Sequence, residues 1–170
     1  AKTVTLGKTH WSDTNRVMLR NRRIGCSVSG VAQFITKHGM EELRKWLEEG
    51  YDTIQDWDCI YSDWFAIPKS IKTTSVKPSG TVSLLAGATP GLHYPESRFY
   101  IRRMRLSNQS DLIEPLEKAG YKLEPAFGSE DTTMVVEVPV DVGEGIRTAK
   151  ELSIWEQFSL AAFMQRHWAD

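Results

Sequence analysis

Short β-branched segments alternate along this chain with stretches of helical hydrophobic period, and that alternation most narrows its fold. Residues 3–6, 23–28, 73–76, 99–106 and 132–138 read as strands. Between them lie helical patterns over 12–19, which Ser12 or Asp13 can cap, over 29–38, closed by Gly39, over 41–65, over 111–119 and over 149–168. The 41–65 pattern carries Leu43, Trp46, Leu47, Ile54, Trp57, Tyr61, Trp64 and Phe65 at three- and four-residue steps, with Gly50 as a candidate kink. Strand, helix and strand in succession imply an α/β layer architecture, with a largely parallel sheet joined by crossover helices. The pattern alone does not separate an open doubly wound sheet from part of a barrel.

The 170 residues suit one domain, 1–170, and 41% hydrophobic with 25% charged content is ordinary for a globular core. A net charge of −1 supplies no global field for nucleic acid. No apolar run is long enough to cross a bilayer, so no membrane partner is expected. The two cysteines, Cys26 and Cys59, have no metal-ligand or disulfide-framework spacing, so no metal site is expected and a cytoplasmic location is. The chain starts at Ala1 and ends at Asp170 on an apolar helical stretch. It is expected to be a segment of a longer protein.

The most chemical stretch is 73–83, Thr-Thr-Ser-Val-Lys-Pro-Ser-Gly-Thr-Val-Ser, which reads as strand, tight turn and helix start. The first amides of a helix have no internal acceptor and sit at the positive end of its dipole. Gly80 lets an anion approach the backbone, and the hydroxyls of Ser79 and Thr81 add donors, so the segment has the chemistry of a phosphate loop. It lacks the spacing of a P-loop. The same residues also serve as ordinary caps and turns.

Segment 76–95, from Val76-Lys77-Pro78-Ser79-Gly80-Thr81 to Gly91-Leu92-His93-Tyr94-Pro95, resembles the phosphate-binding segment of ribonucleotide reductases. Upstream, Asn21-Arg22-Arg23-Ile24-Gly25 is similar to that family's Asn-Arg-x-Ile-Gly strand, in the family's order and at roughly its spacing. Leu92-His93-Tyr94-Pro95, followed by Tyr100-Ile101-Arg102-Arg103, resembles the monomeric adenosylcobalamin-dependent ribonucleoside-triphosphate reductases. The resemblance implies part of a ten-stranded α/β barrel, seen here as an incomplete parallel sheet. It implies phosphate binding by Pro78, Ser79, Gly80, Thr81 and Val82, with His93 as a further residue lining the site.

For the whole enzyme the resemblance implies adenosylcobalamin as cofactor, a ribonucleoside triphosphate as substrate and a dithiol such as thioredoxin as reductant. A cysteine thiyl radical would abstract the ribose 3′ hydrogen, a glutamate would handle the 3′ hydroxyl proton, and a cysteine pair would reduce the 2′ carbon. The family carries its radical cysteine in Cys-x-Glu. Here Cys26 precedes Ser27-Val28 and Cys59 precedes Ile60-Tyr61. No catalytic residue is therefore expected in this chain, which depends on the remainder of the reductase. The alternative is a small non-catalytic nucleotide- or phosphate-binding α/β module. Cys26, Cys59 and the tryptophans read as packing residues. Arg98, Arg102, Arg103 and Arg105 read as an exposed, salt-bridged set in which Arg103 and Arg105 share a face.

Overall fold

The structure, a computed structural model, describes residues 1–80 and 82–170. The chain divides into two compact units, Ala1–Pro95 with Gly145–Asp170, and Glu96–Glu144.

The first unit is built on helices α1 (Ser12–Asn21), α2 (Val31–Trp64), α3 (Val82–Leu85) and α5 (Ile154–His167). Its core joins Val31, Leu43 and Leu47 of α2 to Leu160 and Met164 of α5 and to Trp168 just beyond it. Helix α5 starts at a reciprocal cap: Ser153 Oγ accepts from the Glu156 amide at 3.2 Å, and the Glu156 carboxylate accepts from the Ser153 amide at 2.8 Å. A hydrogen bond from Arg147, reinforced by Ser153, depresses the Glu156 carboxyl to about 2.

Gly39 takes φ 82°, ψ 171°, so α2 breaks there and resumes at once. The helical stop expected at Gly39 is thus a joint inside a longer element. The kink considered at Gly50 is absent. Gly50 instead makes room for an indole, since a Cβ there would lie 3.3 Å from Trp168 Cζ3.

Two expected strands meet only briefly. Cys26 and Thr74 form an isolated parallel bridge, with Cys26 N–H donating to Thr73 O at 2.9 Å and Ser75 N–H to Cys26 O at 2.9 Å. The expected strand at 3–6 is a 3-10 turn, Lys2–Leu6. Thr5 Oγ1 donates to Lys2 O at 2.7 Å, a local side-chain bond that competes with extended structure. Lys2 is drawn inward to Asp58, at 2.8 Å, with both side chains almost wholly buried.

The second unit holds β1 (Phe99–Ser107), α4 (Ile113–Lys118), β2 (Lys122–Pro125) and β3 (Thr133–Asp141). The strands lie in the order β1-β3-β2, and both pairings are antiparallel. This corrects the expectation of a parallel sheet with crossover helices. The seven residues between β2 and β3 are too few for a parallel crossover, so the strands must turn back as a hairpin. β3 runs through Pro139 to Asp141, three residues past the limit expected of it. β2 pairs only as far as Glu137, so Pro139 lies where no second neighbour needs its missing N–H. Arg103 pairs with Glu124 and Glu137, and Arg98 with Asp141 and Glu144, as a salt-bridged surface set. The chain is α/β in composition; its one described sheet has three strands.

The end of the chain is tied to the extended segment at 73–75. Asp170 accepts from the Thr73 amide at 2.5 Å, the Thr74 amide at 3.1 Å, the Thr73 hydroxyl at 2.9 Å and the Tyr51 hydroxyl at 2.7 Å. Burial opposes its charge, but these four donors outweigh burial and hold the carboxyl well below the usual range. A carboxyl depressed on folding adds stability above its unfolded value, here 3.8, and loses it as pH falls through the folded value. Asp170→Asn is therefore expected to lower stability at neutral pH by roughly 1–2 kcal/mol, since the amide keeps one acceptor. The gap between variant and parent should close as pH drops below about 4. Urea denaturation across pH 2–7 measures it; a gap that stays constant with pH would show the charge to be irrelevant.

Candidate phosphate-binding site

The loop entering α3 is shaped from both sides. Ser79 adopts φ 45°, a left-handed conformation uncommon outside glycine. The left-handed residue is therefore Ser79, beside the glycine that the sequence reading had singled out. The Ser83 hydroxyl, on a residue only 3% exposed, donates back to Ser79 O and fixes the turn. Pro78 is exposed, Ser79 and Gly80 are half-buried, and Val82 is exposed. Thr81, expected to be a phosphate donor, lies outside the described residues. His93 is exposed in the connection that follows, its amide donating to Pro90 O at 2.9 Å.

The two motifs that carry the family resemblance meet here. Lys77 Nζ donates to Gly25 O, which ties the Lys-Pro-Ser-Gly turn to the Asn-Arg-Arg-Ile-Gly segment. Gly25 must be small, because a Cβ on it would lie 2.8 Å from Ser75 Oγ and 3.3 Å from Lys77 Cε. Cys26, next along, is half-buried and packs on the core of the first unit.

Several shaping residues escape a sequence reading. Gly91 has φ 54°, and a Cβ there would fall 2.3 Å from Lys77 O. Its only sequence sign is the dipeptide Pro90-Gly91, which marks a turn but not what the turn lies against. Gln33, on the first turn of α2, accepts from the Thr89 amide at 2.8 Å and donates to Gly87 O at 3.0 Å. Its sign is a polar residue beside the apolar Val31, Phe34 and Ile35. Thr89 is 1% exposed and its hydroxyl has no described partner.

Chemically, the loop offers an exposed proline-led turn, a cationic Lys77 at its start and a backbone held in a fixed left-handed bend. These are the parts of an anion-binding turn. Among the described residues no cluster of His, Cys, Asp or Glu could hold a metal ion.

No protein-family model matches the chain. Across all 170 residues it is 61% identical to the adenosylcobalamin-dependent ribonucleoside-triphosphate reductase of Euglena gracilis, covering 23% of that protein. It is 60% identical over 170 residues to the probable adenosylcobalamin-dependent ribonucleoside-triphosphate reductase of Dictyostelium discoideum, covering 22% of it. The corresponding reductase of Levilactobacillus brevis is 33% identical over 198 aligned residues, 99% of this chain and 26% of that protein. Among solved structures, the crystal structure of a B-12 dependent (class II) ribonucleotide reductase matches with a TM-score of 0.78 and 31% identity, over 99% of this chain and 28% of that one. The chain thus spans about a quarter of the length of the curated relatives it matches.

Proposed function

We infer that this chain, which belongs by sequence to the adenosylcobalamin-dependent ribonucleoside-triphosphate reductases, is a segment of such an enzyme's catalytic barrel and holds the substrate's phosphates on its 78–82 loop. The observation that carries the reading is 61% identity over an alignment that spans all 170 residues. In this reading the exposed apolar side chains, such as Trp155 on α5 at 76%, are surfaces that the remaining three quarters of the enzyme covers.

The enzyme's cofactor is adenosylcobalamin, which supplies the radical chemistry when bound. No residue of this chain is assigned to the cofactor. What this chain does is bind and orient: amides after Pro78 and the Ser79 hydroxyl donate to the phosphates, Thr81 contributes a hydroxyl by its residue type, and Lys77 adds positive charge. The substrate is a ribonucleoside triphosphate, the reductant a dithiol such as thioredoxin, and the setting cytoplasmic. The chain alone lacks Cys-x-Glu and does not turn over.

Replacing Thr81 by valine in the full-length enzyme keeps shape and removes a donor. A hydrogen bond to a charged group is worth about 1.5–3 kcal/mol, so triphosphate affinity should fall roughly ten- to a hundredfold. Calorimetric titration reads the affinity, and thermal unfolding without nucleotide separates it from a lost helix cap. A variant that melts lower yet binds triphosphate normally would make the hydroxyl structural.

A further inference from the structure

The turn that carries the phosphate site does not stand by itself. Behind it, residues 87–91 are strapped to the first turn of α2. The Gly30 amide donates to Thr89 O at 2.8 Å and the Val31 amide to Gly91 O at 3.4 Å. The Gly30 and Val31 amides, at the start of this long helix, are therefore spent on the loop's carbonyls. Gln33, one step further along, grips the same strap through both ends of its amide: Oε1 takes the Thr89 N–H and Nε2 gives to Gly87 O. The strap in turn carries the turn. Gly91 lies directly against Lys77 O, and the Ala88 amide donates to Ser83 O at 2.9 Å. Ser83 holds Ser79.

We propose that Gln33 is a positioning residue for triphosphate binding: it touches no phosphate, and sets the height and tilt of the 77–83 turn by fixing Gly87 and Thr89 to α2. The inference rests on the phosphate reading of that turn. Its physical basis is that Gln33 is bifunctional. A primary amide satisfies a neighbouring acceptor and a neighbouring donor at once, which neither a carboxylate nor an apolar chain of the same length does. With Gln33 removed, the Thr89 amide and Gly87 carbonyl lose these bonds, and the strap relaxes beneath Lys77 and Ser83. The cost should fall on the part of the substrate that the turn meets.

The test uses the full-length reductase with three variants. Gln33→Met keeps length and removes both bonds; Gln33→Glu keeps an acceptor for Thr89 but sets a carboxylate against Gly87 O; Gly80→Val blocks the turn itself. Affinity is measured for a ribonucleoside triphosphate and for the matching nucleoside without phosphates. Loss of two neutral hydrogen bonds of ordinary strength predicts triphosphate affinity lower by roughly five- to a hundredfold in Gln33→Met, with nucleoside affinity unchanged. A loss of similar or larger size is expected in Gln33→Glu. A general structural role would instead weaken nucleoside and triphosphate together, and that result overturns the proposal. If Gly80→Val abolishes triphosphate selectivity while both Gln33 variants retain it, the positioning role is wrong and the phosphate reading survives. If Gly80→Val also leaves triphosphate binding intact, the phosphate reading fails and the positioning role falls with it.

Discussion

A Gly91→Ala substitution is expected to be among the most damaging single changes of this chain, destabilising it by roughly 2–5 kcal/mol and displacing the 77–80 turn. Two costs act at one atom. The left-handed backbone at φ 54° penalises any Cβ, and that Cβ would overlap Lys77 O at 2.3 Å. A backbone oxygen cannot rotate away as a side chain can, so either the 77–80 turn or the strap at 87–91 must move. In the full-length enzyme the variant should therefore lose triphosphate affinity as well as thermal stability. Gly87→Ala provides the contrast, because Gly87 is also left-handed, at φ 61°, but a Cβ there meets nothing within 4 Å. Gly87→Ala should show only the conformational penalty, about 1–2 kcal/mol. Equal effects at the two positions would mean that close approach to Lys77 contributes nothing.

Lys2→Met is expected to cost about 3–5 kcal/mol, because it strands a buried carboxylate. Asp58 accepts from Lys2 Nζ at 2.8 Å, from the Ser70 amide at 2.8 Å and from the Ser70 hydroxyl at 2.7 Å. Burial pushes its carboxyl upward, yet Lys2 and Ser70 together hold it below the ordinary range. Such a group stabilises the fold above its unfolded value of 3.8 and ceases to do so as pH falls through the folded one. The double variant Lys2→Met, Asp58→Asn removes the stranded charge and keeps an amide for Ser70, so it should recover much of the loss. A double variant no better than the single one, by chemical denaturation, would show that the ion pair is not what Lys2 contributes.

The long helices α1, α2 and α5 and strand β1 were legible in the sequence because each is long enough for its hydrophobic period to dominate. Helix α2 shows this: Leu43 and Leu47 recur one turn apart and both reach the core. The sheet's direction was not legible. β2 has only four residues, Lys-Leu-Glu-Pro, with two charges and a proline and no alternation long enough to register. Without it, β1 and β3 read as strands joined by a crossover. The turn at Lys2–Leu6 was missed because its β-branched residues imitate a strand, while what decides it, Lys2 against Asp58, spans 56 positions. The turn at 77–83, for which phosphate binding is proposed, was marked in sequence by its proline, glycine and hydroxyls. What holds it came from elsewhere: Gly25, Gln33 and Gly91 act through contacts across 52, 54 and 56 positions or through a missing side chain.

The role proposed for the 78–82 loop is to hold the substrate's phosphates. A crystal structure of the full-length enzyme with a ribonucleoside triphosphate bound tests it most directly. Phosphate oxygens are expected within hydrogen-bond reach of the backbone amides that follow Pro78 and of the Ser79 hydroxyl, about 2.7–3.2 Å away. Triphosphate bound for reduction with its phosphates on another element, and this loop untouched, would contradict it.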